Sequence, residues 1–274
     1  MYYSNYFKRG NLTCMLIFGF FMLSCTDNLR SIIEETSPVT VVSKSEKEIK
    51  AYIDNLDWEK HVNLRMRSDK CYTCITEDVL GGAEGCGIGA WLGGPLGCSI
   101  AGALVASYRS IREANATGFS KDKGPWATSR RKKDIPIPEV ETNSTVVGQA
   151  HNLILEKFVF ENIEKYNSRE FYSTAKSVLE NIPQFNVKLL DDVRFKFAMI
   201  YTLEKIDQGY AIRMDKEKTS FIRRISEIDN DENLYQKIVE IKKSSFEPTN
   251  NILDTQNRNQ MEAIGYYTYY FWNK

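Results

Sequence analysis

Four cysteines lie close together in the sequence, and their spacing is the clearest chemical signal in the chain. They are Cys71, Cys74, Cys86 and Cys98, all within 28 residues. In an oxidising compartment an even cluster of cysteines predicts disulfide bonds, and four cysteines allow three connectivities, among which the spacing does not choose. Zinc binding and thioredoxin-like redox chemistry are weaker interpretations, because only one CxxC motif is present and no βαβ pattern surrounds it.

His151 and Asn152 are the best polar candidates for a binding site outside the cysteines. They fall at the beginning of a predicted helix, close to Gly148, although a lone histidine in such a place is more often a hydrogen-bonded structural residue. The sequence contains no GxSxG, HExxH, P-loop or Rossmann fingerprint. We therefore predict no catalytic residue, no metal site and no cofactor, and we expect that the protein is not an enzyme.

The charge balance narrows the range of partners. The chain has 274 residues, with 36 basic and 36 acidic side chains and an isoelectric point of about 6.8. A general nucleic-acid binder would carry a net basic domain, so we expect no nucleic-acid partner. With 26% charged and 42% hydrophobic residues, the bulk of the chain is typical of a water-soluble globular protein.

The segment that must position the cysteines is rich in glycine at helical spacing. Nine of the 16 glycines fall between residues 81 and 102. Eight of them, with Cys86, Ala90 and Cys98, form two neighbouring rows of small residues that repeat every four positions. Small side chains one turn apart let a second helix approach closely, whereas each glycine costs an isolated helix about 1 kcal/mol. We predict that the helix-packing residues are Gly81, Gly85, Gly89, Gly93, Gly97 and Gly102.

A break in the middle of this segment predicts a helical hairpin. Gly93-Gly94-Pro95 interrupts the glycine rows, and proline is favoured in the first turn of a helix rather than inside one. The expected arms run from about 77 to 92 and from about 95 to 112. Cys86 and Cys98 lie symmetrically about the turn and could bridge the arms, while the other two cysteines pair with each other or with the hairpin. The hairpin either lies in a membrane or packs against the C-terminal part of the chain.

The first 24 residues are typical of an export signal. Basic residues precede an apolar run from Leu12 to Leu23, which is shorter than the about 20 residues that a helix needs to span a bilayer. The sequence Met22-Leu23-Ser24-Cys25 resembles a bacterial lipobox, whose cysteine is lipidated and becomes the first mature residue. Thr26 stands where an inner-membrane retention signal would have Asp. The resemblance therefore implies a lipid anchor at Cys25 and a location at the cell outer membrane, with the face of the membrane left open.

The remainder of the chain predicts an all-α protein. Residues 25–70 are expected to form a tether with a short helix, and 71–117 the Cys- and Gly-rich hairpin. Residues 118–145 are expected to form a basic, proline-containing linker, which could alternatively contact anionic lipid headgroups. From 146 to 274 the apolar spacing indicates five or six antiparallel helices.

Two helices are predicted in more detail. Ser45 and Glu48 form a capping-box pattern that begins the short helix, expected from Glu46 to about Leu56. The last helix is strongly aromatic and is expected to dock in the core through Ile264, Tyr267 and Phe271. A membrane-interface belt of aromatic residues is the alternative.

The lipobox and glycine rows together resemble the glycine-zipper outer-membrane lipoproteins of Gram-negative bacteria. More broadly, the chain resembles lipoproteins of unknown function from Bacteroidota. Those proteins pair a zipper with a helical domain that opens with a Val-Gly-x-x-His-Asn element, here Val147 to Asn152, and closes with a Tyr/Trp-rich helix, here Ala263 to Trp272. This resemblance covers most of the mature chain and implies no particular chemistry. Residues 71–112 also resemble membrane-permeabilising bacteriocin-like peptides.

Three functions remain open at this point. The first is a lipid-anchored structural or partner-binding protein, whose hairpin associates with the membrane, with a protein partner or with itself. The second is a bacteriocin-like membrane-permeabilising effector, or a protein associated with one. The third is an envelope enzyme of unrecognised type, which would require a cavity with convergent carboxylates beside His151.

Overall fold

Most helices begin at a side chain that caps them. The computed structural model describes residues 44–61, 71–117, 143–160, 166–185, 187–229 and 232–272. The predicted signal peptide 1–24, Cys25, most of the tether and residues 118–142 of the linker lie outside these ranges. The first helix, α1 (Glu46–Asp54), starts at Ser45 in a complete capping box with Glu48, which confirms the predicted start.

The other elements follow in chain order. They are β1 (Trp58–Lys60), α2 (Tyr72–Thr117), α3 (Asn143–Phe160), α4 (Ser168–Leu179), α5 (Val187–Asp191), α6 (Val193–Asp207), β2 (Tyr210–Ile212), α7 (Lys216–Ser226), α8 (Leu234–Ser245) and α9 (Ile252–Trp272). The described residues are therefore mostly helical, as the sequence predicts.

Helix α2 is two antiparallel arms rather than one rod. Its backbone leaves the helical region at Gly93 and Gly94, where Gly94 has a φ of +58° that favours glycine. Pro95 then starts the second arm, in the first-turn position that suits its missing N–H. The hairpin turn therefore falls where the sequence predicts it.

Two features differ from the sequence expectation. The described residues after 142 contain seven helices rather than five or six, because Asp192 caps a new helix and divides a continuous apolar pattern into α5 and α6. Strands β1 and β2 also pair antiparallel, with Glu59 opposite Ala211. Three-residue strands are too short to show a period-two pattern, so this sheet could not be predicted from local periodicity.

The hairpin occupies the centre of the packing. It packs most extensively against α9 and α3, and it also contacts α6 and α7. The predicted docking residues of the last helix are buried, with Ile264 at 0% exposure, Tyr267 at 3% and Phe271 at 8%. The described residues, all of which lie after residue 43, belong to one compact unit. The hairpin and the C-terminal helices therefore share one core.

Candidate functional site

The first glycine row lets the two arms of α2 touch along their backbones. Gly85 faces the Ala101 carbonyl, and Gly89 faces Gly97 on the opposite arm. A Cβ atom at Gly81 would lie 2.7 Å from the Cα of Ala106, closer than such atoms approach in proteins. These positions accept no side chain. The close approach that the four-residue spacing predicts is present here between the two arms.

The second row faces a different neighbour. Gly82 on the first arm lies against Ile264 of α9, and Gly102 on the second arm lies against Gln260 of the same helix. Gly93, at the turn, packs on Leu189 instead of continuing the row. The small residues therefore allow close packing of the opposite arm on the first row and of α9 on the second.

Two disulfides hold this segment together. Cys86 and Cys98 link the two arms, and Cys71 and Cys74 link the start of the first arm to its own first turn. The prediction of disulfides is confirmed, and the structure selects one of the three connectivities that the spacing allows.

Asp78, on the first arm, is a fully buried carboxylate that joins three helices. Its Oδ2 accepts hydrogen bonds from the hydroxyl of Thr268 and, at 2.9 Å, from the indole nitrogen of Trp272, both on α9. Its Oδ1 lies 3.1 Å from Nε2 of His151 on α3, in a close polar contact that is not aligned as a hydrogen bond. Because a buried carboxylate is costly unless it is partnered, these donors hold α2, α3 and α9 in one arrangement.

The predicted binding candidates belong to this buried cluster. His151 has 0% exposure, and its Nδ1 lies 2.9 Å from the hydroxyl of Ser107. Ser107 in turn donates to the carbonyl of Ala103 in its own helix at 2.8 Å. Asn152 donates to the Tyr267 carbonyl at 3.1 Å. Ser107, His151 and Asp78 thus form a row of polar side chains. All three are buried, and their contacts hold neighbouring helices together.

A second buried cluster fastens the small sheet to the hairpin. Arg109 donates to both carboxylate oxygens of Glu84, at 2.5 and 2.8 Å, and to Glu77 at 3.2 Å. Arg109 also donates to the Tyr210 carbonyl at 2.9 Å, while Glu84 accepts from the backbone N–H of Ile212 at 2.7 Å. Bidentate pairing of this kind fixes geometry as well as charge. Strand β2 is therefore attached to the centre of the hairpin.

The pKa values of the two carboxylates in this cluster, Glu77 and Glu84, are shifted in opposite directions. Burial raises the pKa of Glu84, and the charge of Arg109 only partly opposes that effect. Burial also raises the pKa of Glu77, but the His61 hydrogen bond and the Arg109 charge outweigh it and leave the pKa below its ordinary value. Glu77 is therefore held in its charged form by His61, which precedes the hairpin, and by Arg109 on the opposite arm.

A separate cavity of about 250 Å³ opens between α8, α9 and the start of α3. Its apolar wall comes from Tyr235 and Val239, one turn apart on α8, and from Tyr266 and Tyr267 on α9. The Tyr235 and Tyr266 rings meet edge to face with centroids 5.6 Å apart. Burial, with a further contribution from the neighbouring Glu262 carboxylate, raises the pKa of the Tyr235 hydroxyl.

The polar wall of this cavity carries one charge of each sign. Lys242 Nζ lies 2.5 Å from the Glu262 carboxylate and donates to the Asn259 side-chain oxygen at the same distance. Glu262 is 9% exposed, and Thr145 of α3 completes this side. The cavity therefore offers aromatic surface together with hydrogen-bond donors and acceptors of zero net charge. We call it the tyrosine cavity.

Sequence reasoning missed most of these polar residues. Asp78, Ser107 and Arg109 lie at the two ends of an apolar segment, and their partners lie far along the chain. One sequence feature could have indicated them. Glu84 is the only charged residue between Val79 and Tyr108, and a single charge in a buried segment needs a partner of opposite charge. Within the described ranges, no group of three or more His, Cys, Asp or Glu residues is arranged to hold a metal.

By length and composition, α2 is apolar enough to cross a bilayer, and 67% of its most apolar window is buried inside the protein. Comparison with family models, with curated proteins and with solved structures found no match. Function must therefore be inferred from the residues and their geometry.

Proposed function

We propose that this is a lipid-anchored cell-envelope protein that acts by binding, with the glycine hairpin as its structural core. The disulfide between the arms, Cys86–Cys98, is the observation that carries the proposal. Disulfides persist in oxidising compartments and are rare in the cytosol. An export signal ending in a lipobox at Cys25 is consistent with such a compartment.

The burial of the hairpin supports a scaffold role over membrane insertion. Four of the six charged residues on its two arms, Glu77, Asp78, Glu84 and Arg109, form the buried clusters, and their exposures are 5% or less. Most of their partners lie on other elements, so insertion would strip these charges of their partners. A charged side chain at the centre of a membrane helix costs roughly 2.5 to 3.5 kcal/mol.

The same geometry argues against self-association through the glycine rows. The first row already contacts the opposite arm, and the second already contacts α9. A second copy of the chain would have to displace one of these neighbours. Binding is therefore assigned to the outer surface of the fold.

An enzymatic role has weaker support. The Ser107–His151–Asp78 row has the residue types of acyl-transfer chemistry, but each residue is 0% exposed. The tyrosine cavity is lined by other side chains. A nucleophile must be reachable by substrate, so this row is better explained as internal support for three helices.

Metabolic labelling tests the anchor. Cells producing the wild type are expected to incorporate radiolabelled palmitate into the protein and to carry it in the outer-membrane fraction, whereas Cys25→Ala loses both. Cys14→Ala is the matched control, because residue 14 lies inside the predicted signal and its loss leaves labelling intact. Equal labelling of the wild type and Cys25→Ala would refute the lipid anchor.

The compartment is tested separately on the cysteines. Protein taken from cells in the presence of a thiol-reactive polymer is expected to show no mass shift at the four core cysteines until it is reduced. A shift before reduction would show free thiols and contradict the oxidising location.

Dye release tests the membrane-permeabilising alternative. The folded mature protein at micromolar concentration is expected to release no dye from anionic vesicles above the buffer level, with detergent giving full release. Release by folded protein would favour the effector function over the scaffold.

A further inference from the structure

The tyrosine cavity is lined by residues of α3, α8 and α9 and by none of the hairpin, and its chemistry is different from that of the buried clusters. It lies where α8 and α9 run antiparallel, with Tyr235 near Tyr266 at one end and Lys242 near Asn259 at the other. One end is therefore aromatic and the other is polar. Few precisely placed polar groups within an otherwise apolar wall are typical of a small-molecule site.

The charges of the cavity favour a neutral ligand. Lys242 and Glu262 are paired at 2.5 Å, with side chains only 26% and 12% exposed. An anion would compete with Glu262 for the lysine, and a cation would compete with the lysine for Glu262. Either ligand would leave one partly buried charge without its partner, which is strongly unfavourable.

The hydrogen-bonding groups favour a ligand with several hydroxyls. A lysine ammonium has three N–H donors, of which the contacts with Glu262 and Asn259 occupy two. Glu262 adds acceptor capacity and the Asn259 amide adds donors. A hydroxyl both donates and accepts, so a row of hydroxyls can bind across this wall without separating the ion pair.

The tyrosines and the volume favour a single ring. Aromatic walls accommodate the C–H face of a saturated ring, which has little conformational freedom to lose on binding. The volume of about 250 Å³ matches that of roughly eight liquid waters at about 30 Å³ each. It falls below the approximately 300–1,000 Å³ typical of sites for drug-sized ligands.

We propose that the tyrosine cavity binds one neutral pyranose sugar, with its hydroxyl edge on Lys242, Asn259 and Glu262 and its C–H face on the tyrosines. This deepens the proposed binding function and rests on it for the setting in which a glycan would be met. The readouts are independent, because sugar binding is measured on purified protein and lipidation is measured in cells. Failure of either leaves the other standing.

Saturation-transfer NMR on the purified mature protein tests the site. The probes are the methyl pyranosides of glucose, galactose and N-acetylglucosamine, and the reference compounds are acyclic sorbitol, glycine and methyl phosphate, whose methyl protons report on phosphate binding. At least one pyranoside is expected to bind with a Kd of about 1 mM or tighter. Sorbitol, glycine and methyl phosphate are expected to give no signal.

Two variants locate the binding. Val239→Trp fills the cavity and is expected to abolish the signal, whereas Val193→Trp, at a residue that is 69% exposed on α6, is the matched control and keeps it. Asn259→Leu removes hydrogen bonds from a partly exposed position. It is expected to weaken binding about fivefold. This variant locates the site if Val239→Trp fails to fold.

Three outcomes would overturn the proposal. The first is that no pyranoside binds. The second is binding that survives both Val239→Trp and Asn259→Leu, which would place the sugar elsewhere. The third is binding of methyl phosphate or glycine in preference to the pyranosides, which would assign the cavity to charged ligands.

Discussion

At the scale of single residues, Asp78 does most to define the fold. Its carboxylate accepts two hydrogen bonds from α9 and faces His151 from α3, and all of these groups are buried. A buried donor that loses its acceptor keeps its desolvation cost without the compensating bond. Removing this one carboxylate therefore affects three helices at once.

Asp78→Leu keeps the approximate size of the side chain and removes both oxygens. We expect it to lower the free energy of unfolding in urea by about 3 kcal/mol or more, because the Thr268 hydroxyl and the Trp272 N–H lose their acceptor. Adding Thr268→Val is expected to recover about 1 kcal/mol by removing one stranded donor.

The matched control is Asp191→Leu. That side chain is 59% exposed and pairs with Lys176 at the surface, where ion pairs contribute about 0–1 kcal/mol. Similar losses for Asp78→Leu and Asp191→Leu would show that the buried carboxylate has no special role.

Glu77 gives a prediction for pH. Its pKa lies below the ordinary value of 4.5, because the His61 hydrogen bond and the Arg109 charge outweigh its burial, with Glu84 as the other charge facing it. A lowered pKa means that the ionised group stabilises the fold above about pH 4.5 and that this contribution disappears as acid protonates it.

Urea unfolding of the wild type and Glu77→Gln between pH 7 and pH 3 measures this contribution. We expect the wild type to be more stable by about 2 kcal/mol at neutral pH, with the difference shrinking below about pH 4.5. A difference that grows on acidification would show that the pKa is raised.

Only part of this residue-scale arrangement could be predicted from the sequence. Cysteine clustering correctly indicated disulfides. His151 and Asn152 were singled out as polar residues, but the expectation that they begin a helix was wrong, because both lie in the middle of α3. Their partners could not be found, because 190 residues separate Asp78 from Thr268 and 44 separate Ser107 from His151. Such contacts depend on tertiary packing, and local periodicity contains no information about which distant residues will meet.

At the scale of elements, the hairpin depends on where each glycine lies. Gly89→Ala would drive a methyl group into the Gly97 backbone, which the disulfide between the arms holds in place. We expect a loss of about 3 kcal/mol, within the range of overpacked cores. Thermal and urea unfolding measure it.

Gly87→Ala is the matched control on the same arm. No atom lies within 4 Å of a Cβ at this exposed position. Alanine is favoured over glycine in a helix by about 0.5–1 kcal/mol, so this variant is expected to be slightly stabilised. Equal destabilisation at residues 87 and 89 would contradict the close packing of the arms.

The two disulfides are expected to contribute unequally. Cys86–Cys98 closes 12 residues and Cys71–Cys74 closes three. From chain entropy, Cys86→Ala/Cys98→Ala should lose about 3 kcal/mol and Cys71→Ala/Cys74→Ala about 2 kcal/mol. Urea unfolding of the two double variants tests this order, and a larger loss at the shorter loop would contradict it.

Element prediction succeeded where local signals were strong. The capping box at Ser45, the turn at Gly93-Gly94-Pro95 and the buried aromatic helix at the end all follow from short-range patterns. The division between α5 and α6 was missed because apolar spacing continues through Asp192, while Val193 is 69% exposed. An aspartate inside a continuous apolar pattern cannot be recognised as an N-cap from that pattern alone.

At the scale of the whole molecule, the hairpin and the C-terminal helices should unfold together. The second glycine row and both buried charge clusters join α2 to other elements, so neither part keeps its core without the other. We expect coincident urea transitions for helical content by circular dichroism and for tryptophan fluorescence, to which Trp91 in the hairpin and Trp272 in α9 contribute together with Trp58 and Trp126. Separate transitions would show that the hairpin is an independent domain.

The placement of α9 also affects how the chain is made. Trp272 lies 194 residues after the carboxylate that accepts its indole N–H. A ribosome releases the hairpin long before it releases that tryptophan, so the face of the hairpin that α9 covers stays open until α9 has been made. The nascent chain therefore cannot complete its interior until the last turn of α9 is available.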